Sequence, residues 1–88
     1  MPENNLLLPL REGFKEDYLL HVGKIVKEAR KASGHKEDTV ARAVGIQQTT
    51  LSKIEKGKYP SVTNVIIAKL HIVLQIPWAD FSPQPMEQ

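Results

Sequence analysis

Three positions constrain this chain more than any others: Ala41, Gly45 four residues later and Leu51 six residues after that. Two short helices cross steeply only where their backbones come close, and Ala41 is small enough to permit that approach. Gly45 allows the positive φ that a tight connection needs, because it has no Cβ to clash there. Leu51 then closes the small core between the two helices, with Val40, Val44, Ile46 and Ile54 filling the remainder. The first helix is expected over residues 37–44, with Glu37 and Asp38 complementing the positive end of its dipole. The second is expected from residue 47 or 48 to residue 56, ended by Gly57.

This spacing is that of a helix-turn-helix, and the flanking sequence supplies its supports. Over residues 15–32, Leu19, Val22, Ile25, Val26 and Ala29 recur at steps of three and four, which lines one face of a helix. Gly34 suits its left-handed C-terminal cap. Ser61 or Thr63 can cap a further helix to about residue 74. Pro77 and Trp78 open a last turn through Phe81, with Trp78 and Phe81 expected in the core. Pro9 interrupts Leu6, Leu7, Leu8 and Leu10 and excludes a continuous helix there. The expected organisation is therefore an N-terminal arm over 1–14, a helix-turn-helix domain over 15–81 and a frayed C-terminal tail over 82–88. The fold class is all-α, one small domain of about five helices. A chain of 88 residues has no room for a second core, and its 41% apolar content suffices for one.

The second helix of the pair leaves a short polar face exposed. Gln47, Gln48, Thr49 and Ser52 are the candidate DNA base contacts. Gln donates and accepts at once, so it can pair bidentately with adenine N6 and N7, a contact that contributes roughly 1–3 kcal/mol of discrimination. Thr bonds a base edge or packs on a thymine methyl. Lys53, Lys56 and Lys58 are the candidate phosphate contacts, since an ammonium is a flexible point charge. The competing reading makes all seven an ordinary solvated face. Charge distribution favours the first reading: the net charge is only +2, but residues 21–58 hold nine Lys and Arg against four acids. A basic middle segment between two mildly acidic ends points to a polyanion partner.

Other chemistries find little support. His21, His35 and His71 share no spacing that gathers them on one helix face, so no metal site is expected, and no Ser-His-Asp grouping is readable. No cofactor and no enzymatic activity are expected. The chain has no Cys, hence neither a disulfide framework nor thiolate ligands. No apolar run approaches the roughly 20 residues of a membrane-spanning helix. The N-terminus lacks a basic region followed by a long apolar stretch, so no secretory leader is expected and the cytoplasm is the default location.

Residues 22–81 resemble the phage repressor and Cro-like helix-turn-helix domains of the XRE family. The resemblance rests on Arg30, Gly34, Val40-Ala41, Val44-Gly45-Ile46 and the run Leu51-Ser52-Lys53-Ile54-Glu55-Lys56-Gly57-Lys58. It implies a five-helix fold and a buried ion pair between Arg30 and Glu55. It also implies that Gln48 opens the recognition helix and reads base edges. Three departures stand out. Glu37 occupies a position that usually carries a phosphate-holding Gln, and its charge should repel a phosphate. Lys36 stands where a Ser or Thr cap is common. The stretch 57–74 is one residue longer than the family pattern.

The helix near the C-terminus sets the expected assembly. Between Val65 and Leu74 only Lys69 and His71 are not apolar. Ile67, Leu70 and Leu74 fall on one face, and Val65, Ala68 and Ile72 on the opposite one. A helix apolar on both sides is buried on both sides, and the second cover is either a second subunit or the leucine-rich arm at residues 6–10, which are compatible; the expected arrangement is a homodimer interface at Val65, Ala68 and Ile72. The leading expectation is a dimeric, sequence-specific regulator of double-stranded DNA, a repressor acting at an inverted-repeat operator. The alternative is an antitoxin or other protein-binding module that masks a toxin and binds its own promoter.

Overall fold

The computed structural model describes residues 13–82. The expected arm, apart from Gly13 and Phe14, and the tail beyond Ser82 lie outside the described residues. Within them the chain forms α1 (Phe14–Ser33), α2 (Glu37–Val44), α3 (Gln48–Glu55), α4 (Asn64–Leu74) and a closing 3-10 turn (Trp78–Phe81). The described residues are thus all-helical, with four α-helices and one 3-10 turn in place of five helices. Among them, no helix is long and apolar enough to cross a membrane.

The helix-turn-helix unit is made by backbone geometry at Gly45. Its φ of 86° lies in the left-handed region, and the Ile46 N–H reaches back to Ala41 O at 2.9 Å while the Gly45 N–H reaches Arg42 O. These two bonds satisfy carbonyls that the end of α2 would otherwise leave open, and they aim the chain directly into α3. A side chain with Cβ at this φ would cost about 1 kcal/mol or more. Thr63 caps α4, its Oγ1 accepting from the Ile66 N–H at 3.2 Å. Neither Lys36 at the start of α2 nor Gln47 at the start of α3 makes a side-chain cap.

The core sits where the four helices meet. Val22 and Val26 come from α1, Val40, Ala41 and Val44 from α2, Leu51 and Ile54 from α3, and Ile67, Leu70 and Leu74 from α4, with Ile76 and Phe81 closing the far end. Leu51 is fully buried; burying a side chain of this size contributes roughly 1.5–3 kcal/mol. Ile25 and Ala29 pack at the edge of this cluster, and Leu19 is only half-buried, so the inward face of α1 is narrower than its apolar repeat implied.

One detail corrects the expectations. Trp78 is not a core residue: it is 53% exposed, whereas Phe81 is 3% exposed. In a 3-10 turn, residues three apart eclipse one another. Phe81 takes the inward space, and Trp78 is left edge-on against Phe81 at 6.1 Å and against His71 at 5.1 Å. The second face of α4, for which a second subunit or the arm was the expected cover, is uncovered among the described residues. Val65 is 61% and Ile72 70% exposed, and Ala68 is half-buried.

Two histidines tie the C-terminal end down. A ring nitrogen facing a backbone carbonyl must carry the proton, because a carbonyl only accepts. His21 Nε2–H therefore donates to Asp80 O at 2.7 Å, joining α1 to the 3-10 turn, and His71 Nδ1–H donates to Ile76 O. Between His71 and Ile76 lies Gln75, a non-glycine residue at φ 56° that ends α4.

Candidate nucleic-acid interface

α3 is an eight-residue helix, too short to hold its own conformation in water. Its placement comes from both ends. The Gly45 turn and the buried Ala41–Leu51 packing fix the start. The last turn is held from α1 by two devices. Gly23, buried in the middle of α1, lies so close to α3 that a Cβ built there would be 2.7 Å from Glu55 O, and closer still to Ile54 O. About two turns further along α1, Arg30 grips the Glu55 side chain. Its Nε donates to Oε2 at 2.7 Å and its Nη2 to Oε1 at 3.1 Å, while Nη1 donates to His35 O at 3.0 Å.

That pair is largely dry, with side-chain exposures of 13% for Arg30 and 3% for Glu55. A bidentate guanidinium–carboxylate contact satisfies both groups with a fixed geometry. The hydrogen bond to Glu55 raises the Arg30 pKa above the usual arginine value. Burial works against this, and the charges of Glu55 and then Glu37 add to it. A raised pKa on a cation leaves its stabilising contribution intact at every pH below the ordinary value and loses it only in still stronger alkali. Arg30 therefore keeps its charge across the range in which proteins work.

With Leu51, Ile54 and Glu55 buried, helical geometry assigns the remaining positions. Thr49, Lys53 and Lys56 lie opposite the core, and all three are exposed. Gln47 and Gln48 are exposed at the start of the helix, and Ser52 is half-buried along the same flank as Gln48. Lys58 is exposed just past the end, where its N–H bonds Lys53 O at 2.9 Å. The candidate base contacts thus run from the start of α3 to its middle, and the candidate phosphate contacts lie on its second half and exit. The three lysines also suit the negative end of the α3 dipole. The ridge offers amide, hydroxyl and ammonium groups, with no carboxylate pointing from α3 itself; the one carboxylate of the helix, Glu55, is turned inward and neutralised.

Two residues gain roles that the sequence reading did not give them. Gly23 is the contact point of α1 on α3. Its signal was a glycine inside an otherwise regular helical repeat, which weakens a helix unless another backbone comes close. Glu37 is half-buried at the start of α2, and Gln48 Nε2 donates to its Oε1 at 3.5 Å. The acid expected to complement the α2 dipole and to repel phosphate also faces the first side chain of α3.

Comparison with known proteins agrees with this architecture. The family described as Helix-turn-helix matches residues 26–81, which spans the second half of α1 through the 3-10 turn. No curated protein and no solved structure matches the chain. The matched region covers more than half of the sequence and contains the Arg30–Glu55 clamp, the Gly45 turn and all of α3: the chain belongs to the XRE-type helix-turn-helix family of DNA-binding transcription regulators.

Proposed function

We propose that the protein is a homodimeric repressor that reads an inverted-repeat operator with α3 in the major groove. The observation that supports this most is the exposed ridge of α3, short and polar, on a helix whose other side is locked into the core from both ends. Gln48 is the principal reader, with Gln47, Thr49 and Ser52 as further base contacts. Lys53, Lys56 and Lys58 take phosphates. A face without an exposed carboxylate approaches the phosphates without like-charge repulsion, and the only acid of α3, Glu55, is buried.

The dimer part of the reading draws on α4. Val65 and Ile72 project into solvent beside half-buried Ala68, on the face of α4 opposite the core. A second copy meeting this face about a two-fold axis would cover both sets of side chains at once. Two recognition helices would then address half-sites roughly 34 Å apart.

Selection of bound duplexes from a random pool, followed by affinity measurement on the winner, tests the reading. An inverted repeat should emerge, and Gln48→Ala should weaken binding by about 1–3 kcal/mol through one base position per half-site, with affinity for random DNA nearly unchanged. Equal losses on selected and random DNA would remove Gln48 from the readers. Enrichment of no sequence would overturn the proposal.

A further inference from the structure

We propose that Lys24, Lys27 and Lys31 on α1 hold phosphates of the duplex outside the base pairs that α3 reads, so that the stretch of DNA held is longer than the stretch read; this rests on α3 being the reading helix, as proposed above. All three lysines are exposed. At about 100° per residue they fall within about 60° of one another on one side of α1. Among the described residues none of them makes an ion pair. Glu28, the acid that follows Lys27, faces away from the stripe, into the cleft that α1 forms with Pro77 and Asp80. Like charges three and four residues apart destabilise a helix, and a bound polyanion would reverse that effect.

The stripe is continuous with the exit of α3. Leu20 packs against that exit: a Cβ on Gly57 would be 2.7 Å from Leu20 Cδ2. Gly23 meets the last carbonyls of α3. Lys24 lies one turn beyond Leu20 and Lys27 one turn beyond Gly23, so the stripe begins beside the segment that carries exposed Lys56 and Lys58. Arg30 adds nothing to it, because Glu55 neutralises the guanidinium. From Lys24 to Lys31 the helix rises about 10 Å, comparable with three phosphate steps of one strand at about 3.4 Å of duplex axis each.

Lysine suits this task. An ammonium on a flexible stem takes a phosphate from many directions and carries no information about base sequence. Each phosphate neutralised releases condensed counterions, so the contribution of the stripe is seen as salt dependence and not as base preference. An acidic protein is the competing occupant of such a face. Continuity with Lys56 and Lys58 favours DNA, since one polyanion then meets both groups of lysines. The work is thereby divided, with α3 selecting the site and α1 holding its flank.

The test uses the duplex selected by the full chain in two forms of equal length and sequence. One is natural; in the other the phosphates outside the read base pairs are replaced by uncharged methylphosphonates. The wild-type protein should bind the natural form more tightly, with a slope of log K against log salt steeper by about two to three units for each subunit bound. Its advantage should therefore shrink by about ten- to fortyfold per subunit between about 50 and 200 mM salt. The triple variant Lys24→Gln, Lys27→Gln, Lys31→Gln should bind the two forms alike, while its preference for the selected duplex over one with a changed base pair stays that of the wild type. The corresponding triple change to Arg should keep the wild-type advantage. Equal binding of both forms by the wild-type protein would overturn the proposal. So would a Gln variant that retains the advantage, which would leave the stripe to an acidic protein or to solvent. A Gln variant that loses base preference in the same measure would place these lysines in the reading face and overturn it as well. If neither form is bound more tightly than random duplex, the reading role of α3 fails first and the inference falls with it.

Discussion

At the scale of single residues, the site depends on side chains that would not touch DNA. Gly23 is the clearest case. A methyl group there would meet the backbone carbonyls of Ile54 and Glu55, which cannot rotate out of the way as a side chain would. Gly23→Ala would gain up to about 1 kcal/mol of helix propensity but would overpack a backbone contact at about 1–3 kcal/mol. A net loss of about 1 kcal/mol is expected in a denaturant titration, and a stabilised variant would contradict the close approach. The sequence showed Gly23 only as a weak point in a helix, because what it touches is thirty residues away. Arg30 and Glu55 were readable only through resemblance, since nothing in the local spacing of either says that it is paired. For Lys53, exposed opposite the core, the expected outcome of Lys53→Ala is weaker binding on all sequences, with the slope of log K against log salt flattened by about one unit. An unchanged slope would take Lys53 out of the phosphate set.

At the scale of elements, the ends of α2, α3 and α4 were legible because their signals are local. Gly45 and Gly57 stop helices, and Thr63 caps one, by chemistry confined to a few neighbouring backbone groups. The fate of Trp78 was not legible, because an apolar residue in a last turn is buried only if the space beneath it is free, and Phe81 occupies that space. The end of α4 carries a local conflict. Gln75 adopts φ 56° so that Ile76 can turn inward and its N–H can reach His71 O at 3.1 Å. Gln75→Gly would relieve the left-handed strain while keeping that bond. It should stabilise the fold by about 0.5–1 kcal/mol in thermal unfolding, the smaller figure allowing for the greater freedom of glycine in the unfolded chain. A lower midpoint would show that the Gln75 side chain contributes something the backbone geometry does not.

At the scale of the whole molecule, the described residues present two different faces. One presents α3, clamped at both ends; the other presents the uncovered side of α4. Sequence periodicity could show that α4 is apolar all round, but burial is decided by what packs against it. Among the described residues nothing covers Val65 or Ile72. Because Ile72 is 70% exposed, Ile72→Glu should leave the thermal midpoint of an isolated subunit nearly unchanged. Sedimentation should instead shift from dimer to monomer, with affinity for a two-half-site operator lost and that for a single half-site retained. A wild-type protein that sediments as a monomer at micromolar concentration would contradict the dimer. The central claim is that DNA meets the first half of α3, and the most direct test is amide chemical-shift mapping of the labelled protein during titration with the selected duplex. The account predicts the largest changes at Gln47, Gln48, Thr49, Ser52 and Lys53, with Glu37 following. Changes centred on Val65, Ile72 and Trp78, with α3 unmoved, would contradict it.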